Sequence, residues 1–267
     1  MRFVLALKRP LISFAIVVAI WQLVATFGGF NPALFPSPLR VAAAFRELAT
    51  TGLLGSSSDA TLWTHLLSSA RRFIVGYSVS SAAAILCGLA LGLLPRVFGY
   101  VDPIVQLIRP VAPIAWTPFL VLTLGIGDLP AIAIIFIAGF FPTLLATVAA
   151  VRNMPPVYDK VARNFGLNGW EKLTQIVFPA VFPQIATSLR QALGTCWIFL
   201  VSGEMVGASS GLGFLVMDAK NCIRADALLA TVILIGLIGF ALDLLVRSGE
   251  RLAIKKWGGD LKSNERG

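Results

Sequence analysis

Few residues of this chain have the types and spacing that covalent or redox chemistry requires. His65 is the only histidine. The cysteines Cys87, Cys196 and Cys222 are odd in number and far apart, so they outline neither a metal site nor a disulfide framework. No Gly-Lys pair occurs anywhere, so the glycine-rich stretch 209–213 (SSGLG) is a turn and not a phosphate-binding loop of the Walker type. The acidic residues are scattered rather than convergent, which argues against a membrane-embedded enzyme. Glu204 stands apart because it sits inside an apolar run, where a carboxylate needs water or a partner. Arg190 is too far along the same predicted helix to serve, and a basic residue of the outer side, such as Arg72 or Arg224, is the candidate partner. Trp116, Trp197, Ser202 and Glu204 are candidates for the wall of a polar pathway, against the ordinary role of membrane tryptophans as packing or interface anchors. An unpaired Glu204 would repel an anion. Either it is paired, or what passes is not an anion.

A second group of residues suggests a contact surface. The stretch 154–183, MPPVYDKVARNFGLNGWEKLTQIVFPAVFP, is the one long polar interruption in the central and C-terminal part of the chain. Pro155 and Pro156 suit a helix start, where a missing N–H costs nothing. Val157, Val161, Ala162 and Phe165 then share one helical face, and Asp159, Lys160, Arg163 and Asn164 the other. Gly166 suits a left-handed C-cap. Asn168 and Glu171 have capping-box spacing for a second helix, which carries Trp170, Leu173 and Val177 and is expected to close at Pro179. The result is a knob of two short helices, which either lies on lipid headgroups or grips a partner.

The elements around these residues are membrane spans. Of the 267 residues, 57% are hydrophobic and 13% charged. Soluble domains carry roughly 25% charged residues, so an all-α polytopic membrane protein is expected. Six spans are predicted, near 11–27, 73–94, 110–124, 130–150, 185–206 and 227–246. The first is read as a retained helix and not a cleaved leader. Residues 28–72 read as an amphipathic outer-surface segment in which Val41, Phe45 and Leu48 share a face. Together with the first helix they make an N-terminal region, 1–72. The core is 73–247, with the knob at about 152–183, and 248–267 form a tail. The third span is short and holds Pro113 and Pro118 around Trp116, as broken helices that line cavities do. Arg96, Asp102 and Arg109 mark the loop before it. Gly88 and Gly92 permit close helix packing, as do Gly236 and Gly239. Asp243 and Arg247, four apart, can pair.

The net charge of +9 belongs to loops and not to nucleic-acid binding. With six spans and both termini inside, sixteen Lys and Arg residues fall in inner segments and six in outer ones, which puts the knob on the cytoplasmic side of the membrane.

Ala162, Gly166, Ile176 and Pro179 fit the pattern Ala-x3-Gly-x9-Ile-x-x-Pro. This resembles the cytoplasmic EAA loop of binding-protein-dependent ABC importer permeases, although Lys160 and Val161 stand where that family has Glu and Ala. The ordered set Asp102-Pro103, Arg109-Pro110-x-x-Pro113, Ala115-Trp116-x-Pro118, Gly125-Ile126-Gly127, Trp197, Glu204-Met205, Ala208 and Gly211-Leu212-Gly213 looks like the permeases of nitrate, sulfonate and taurine importers. The resemblance implies a type I permease fold with a cytoplasmic coupling helix, a permease dimer, two ATPase subunits that hold the ATP and Mg, and an external solute-binding protein. It assigns ATPase coupling to Lys160, Val161, Ala162, Arg163, Phe165, Gly166, Trp170, Ile176 and Pro179. No catalytic residue, metal or cofactor is expected in this chain. The implied solute is a small anion such as a sulfonate, taurine or nitrate. A thiamine or pyrimidine precursor is the alternative, since its importers are relatives. A stand-alone secondary transporter is the competing class, but neither an internal repeat nor a mid-membrane carboxylate cluster supports it.

Overall fold

A computed structural model describes residues 2–55 and 60–257, with side chains for 12–55, 60–158 and 160–249. The described residues form helices and turns, with no strand among them. In chain order the helices are α1 (Arg2–Phe27), α2 (Pro38–Thr50), α3 (Leu62–Leu93), α4 (Pro95–Ile108), α5 (Thr117–Leu124), α6 (Asp128–Arg152), α7 (Val157–Asn164), α8 (Gly169–Glu171), α9 (Phe178–Gly207), α10 (Leu212–Asn221) and α11 (Ala225–Trp257). A 3₁₀ turn, Pro113–Trp116, precedes α5, and a π-helical turn, Lys172–Val177, joins α8 to α9.

Among the described residues three helices are unbroken, long and apolar enough to cross a membrane: α3, α6 and residues 225–249 of α11. Two bent pairs pass the same test together. These are Pro95–Ile108 with Pro113–Leu124, bent by 82°, and Gly169–Gly207 with Leu212–Asn221, bent by 48°. Ile12–Phe27 is a shorter apolar helix at the first predicted span. Among the described residues three to five of the six expected spans are thus long and apolar enough to cross, and the first expected span is a shorter apolar helix.

The residues fall into two compact units. The first comprises Met1–Ser69 and Ser210–Leu237. In it, α2 starts at Pro38 behind an N-cap, Ser37, whose Oγ accepts from the Arg40 N–H. It buries Val41, Ala44 and Leu48. Phe45, expected on that face, is 40% exposed, because the burial stripe runs through the smaller Ala44. The 209–213 turn is anchored on α3: the Gly211 N–H donates to His65 Nδ1 at 3.1 Å and the Leu212 N–H to Ser69 Oγ at 2.8 Å. His65 thus holds a turn.

The second unit comprises Ala70–Ser209 and Ile238–Gly267. Its centre is α6 against α9. On α3 the buried positions Arg72, Gly76, Ser80, Ala84, Gly88 and Gly92 recur every four residues and form one stripe. The glycines in this stripe let α6 approach. A Cβ on Gly88 would lie 2.6 Å from Thr147 Cβ, and one on Gly92 would lie 2.7 Å from Val151 Cβ. Their role is packing within the chain.

Three sequence expectations are corrected. First, α3 begins at Leu62 and not near Phe73, because Arg72 is buried inside the unit rather than marking a membrane edge. It therefore carries no weight in the count of outer charges. Second, the loop expected around Arg96, Asp102 and Arg109 is helix α4, which starts at Pro95 and buries Phe98 and Val105, seven residues apart on one face. Third, Pro179 does not close the second knob helix. The chain runs from Gly169 through the π turn into α9, and Pro179 falls in the first turn of the new α-helical register, where no N–H is needed. The last span also continues as helix to Trp257, into the predicted tail, of which residues 258–267 lie outside the described residues.

Candidate functional site

The knob joins α6 to α9. Gly166 has φ +63°, the left-handed conformation a non-glycine residue adopts only at a cost. The Gly166 N–H donates to the Arg163 carbonyl at 3.1 Å and the Leu167 N–H to that of Ala162 at 3.1 Å, closing the end of α7. The capping box forms: the Glu171 N–H donates to Asn168 Oδ1 at 2.9 Å, and the Asn168 N–H donates to Glu171 Oε2 at 2.9 Å. Both corners of the knob are thus held by hydrogen bonds.

Its side chains divide sharply. Ala162 is 2% exposed, and Val177 is buried with Val181 and Ile185 in a cluster that also takes in Leu89 and Val151. Phe165 is 77% exposed and Trp170 72%. Lys160, Val161, Arg163 and Gly166 are exposed too, while Ile176 and Pro179 are half-buried. The side chain of Asp159 lies outside the described residues. Of the nine coupling candidates, Ala162 therefore sits under the knob. The others stay at least partly accessible. Phe165 and Trp170 thus leave two large aromatic faces of the knob uncovered by the rest of the chain.

The pathway candidates do not converge on one face. Glu204 is fully buried, and its Oε1 accepts from Arg72 Nη1 at 2.8 Å. Arg72 Nε also donates to Asp128 Oδ1 at 2.7 Å. One of the two partners the sequence offered Glu204 is thus taken. Asp128 is the missed member; its position as the first residue of α6, where a carboxylate suits the helix dipole, was the available signal. Near these charges the Gly127 N–H donates to the Gly207 carbonyl at 2.8 Å, which ties the start of α6 to the end of α9. Trp197 is 6% exposed, edge-on to Phe73 with ring centroids 5.4 Å apart, and Gly239 leaves room for its indole. Ser202 is half-buried and donates to the Ile198 carbonyl. Trp116 lies in the 3₁₀ turn at the 82° bend, edge-on to Phe119, and its Nε1 is buried without a hydrogen-bond partner.

Arg190 is paired as well. Its Nε donates to Asp243 Oδ1 at 3.0 Å, and the expected Asp243–Arg247 pair is present at 3.6 Å. In the first unit, Arg224 clamps Glu47 with two hydrogen bonds, of 3.1 and 2.8 Å, and also meets Asp226. The Arg224 guanidinium holds the Glu47 carboxyl below the usual glutamate range, and Glu47 in turn raises Arg224.

Comparison with known proteins places this geometry. Residues 80–253 match the family described as "Binding-protein-dependent transport system inner membrane component". The chain is 34% identical over 250 residues to the taurine transport system permease protein TauC of Escherichia coli (strain K12), covering 94% of this chain and 90% of that one. It is 37% identical over 232 residues to the putative ABC transporter permease protein MJ0413 of Methanocaldococcus jannaschii, covering 86% and 84%. It is 32% identical over 235 residues to the nitrate import permease protein NrtB of Leptolyngbya laminosa, covering 88% and 83%. In fold it is similar to a chain of the inward-facing MetNI methionine ABC transporter, with a TM-score of 0.51 at 21% identity over 67% of this chain and 93% of that one.

Proposed function

The chain belongs to the binding-protein-dependent transport system inner membrane components, the permeases of ABC importers, and from that membership we propose how it is driven and what it carries. The knob at about 152–183 lies on the cytoplasmic side and docks into a separate ATPase subunit, which holds the ATP and Mg. Two copies of the chain enclose the pathway, two ATPase subunits drive it, and an external solute-binding protein delivers the cargo. Both termini are cytoplasmic, as the bias of basic residues supports.

The observation that carries the reading is the build of the knob. It is hydrogen-bonded at both corners, leaves Phe165 and Trp170 exposed, and runs unbroken from Gly169 into α9. A force on Trp170 is therefore delivered to a span and not absorbed by a loop. Closure of the ATPase subunits moves the knobs, and the spans shift the path between two alternately open states.

The cargo is a small anion of the sulfonate, taurine or nitrate type. Relatives named for taurine, aliphatic sulfonates and nitrate support this. Glu204 is not an unpaired charge, because it shares the Arg72 guanidinium with Asp128, and this lessens its objection to an anionic cargo.

The test has two arms. Phe165→Ala with Trp170→Ala should abolish copurification of the ATPase subunit at unchanged permease content in the membrane; undiminished copurification would remove the docking role. Uptake of labelled taurine, nitrate and a pyrimidine precursor by the complete transporter identifies the cargo, and uptake of the pyrimidine alone would overturn the anionic reading.

A further inference from the structure

The buried positions of Trp197 and Glu204 leave the wall of the pathway to other residues, and one face of α9 has the chemistry for it. Gln184, Thr187 and Gln191 are exposed, and Thr195 and Ser202 half-exposed. Their spacings of three, four, four and seven put all five on one stripe. Gly194 beside them has nothing within 4 Å of where a Cβ would sit. The hydroxyls of Thr187, Thr195 and Ser202 bond to carbonyls of their own helix, whereas no hydrogen bond reaches the side-chain amides of Gln184 and Gln191 among the described residues. Primary amides facing hydrocarbon would be unsatisfied, so the stripe faces water.

Arg109 adds charge. It follows α4 directly, at the bend before the 3₁₀ turn. Arg72, Arg190, Arg224 and Arg247 each meet a carboxylate. The Arg109 guanidinium has no hydrogen bond or ion pair among the described residues. It lines a cavity of about 130 Å³ together with Thr195 of the stripe, Phe141 and Phe199. The next cavity along α9, about 340 Å³, is lined by Gln184, Thr187 and Gln191. Arg109 also borders a cavity of about 510 Å³ whose polar lining is Asp102, Gln106, Arg152 and Asn153, so one carboxylate stands there beside two guanidinium groups.

We propose that Arg109 and the Gln191–Thr195 face of α9 form an oxyanion station on the transport path. The guanidinium supplies a fixed charge and a planar fork of donors matched to sulfonate or nitrate oxygens. The Gln191 amide supplies further donors. Phe141 and Phe199 narrow the space and strip water from the anion. This rests on the permease reading and on an anionic cargo.

The test is thiol labelling in the complete transporter, in membrane fragments open to both sides, with Cys87, Cys196 and Cys222 first replaced by alanine. Single cysteines at Gln191 and Thr195 are reacted with a methanethiosulfonate carrying a sulfonate and with one carrying a trimethylammonium group, each corrected for its rate with a free thiol. Both positions should label, with the sulfonate reagent favoured by about tenfold, the lower end of what a charged cleft confers. Arg109→Gln should erase that preference and Arg109→Lys keep it. Absence of labelling at both positions, with a control Asn31→Cys labelling normally, would show the stripe packed against lipid or a second copy and overturn the proposal. So would a preference unchanged in Arg109→Gln. Should wild type take up neither taurine nor nitrate, the cargo assignment fails while the labelling still decides the station.

Discussion

Arg72 on α3 and Glu204 on α9, 132 positions apart, meet at 2.8 Å with side chains 3% and 0% exposed. Such a pair holds its two helices together only while both charges are present. Each compensates the desolvation of the other, and either alone is a buried, uncompensated ion.

Arg72→Met should therefore destabilise the protein by about 3–5 kcal/mol, while Arg72→Met combined with Glu204→Leu recovers most of that loss. Asp128 is half exposed and can be left to water. Thermal unfolding in detergent of the two single variants and the double variant measures the coupling. A double variant no better than the worse single would refute the pairing as the source of the effect.

Gly166→Pro should uncouple transport and leave membrane insertion intact. Proline cannot adopt φ +63° and removes the N–H bonded to the Arg163 carbonyl. Gly166→Asn, which tolerates the left-handed region, should keep most uptake. Solute uptake at the wild-type rate in the proline variant would show that the corner does not transmit force.

Acid should loosen the first unit through Glu47. Its folded carboxyl titrates below the unfolded one, so its contribution is full above the ordinary glutamate range of about 4.3 and fades as pH falls through the depressed folded value. Arg224 is shifted upward and stays charged throughout this window. Glu47 Oε1 also accepts from the Leu54 N–H at 3.3 Å, so protease cleavage near Leu54 should accelerate below about pH 4 in wild type. In Glu47→Gln it should be fast at all pH values; a pH profile identical in the two would exclude the clamp.

Two glycine substitutions should behave oppositely. Gly88→Val puts carbon against Thr147 and the Leu144 carbonyl and should cost about 1–3 kcal/mol or more, read as a lower melting temperature and membrane yield. Gly236→Ala meets nothing within 4 Å and should be silent. The sequence grouped Gly236 with Gly239, but only Gly239 faces a neighbour, the Trp197 indole.

The legible features were those whose cause is local. The knob could be read because a left-handed glycine, a capping box and two prolines act within a few residues of themselves, and Asn168 and Glu171 pair as their spacing required. Pro179 misled because a proline ends a helix only if the register stays α-helical, and the π turn at Lys172–Val177 shifts it. Arg96, Asp102 and Arg109 looked like a loop because charge density was taken for exposure, whereas α4 buries only Phe98 and Val105 and needs no wider apolar face.

By itself the sequence determined that the chain is helical and membrane-embedded, and that one polar elbow interrupts its spans, since hydropathy, caps and turn residues act over short ranges of chain. Only the tertiary structure decided which charges are neutralised and which remain available. Arg72 and Arg109 are the same residue type in similar apolar surroundings, yet one is enclosed between Glu204 and Asp128 and the other opens onto cavities. That difference depends on which helix faces lie against each other across more than a hundred residues, and the energy of a buried charge is set by those neighbours and not by its place in the chain.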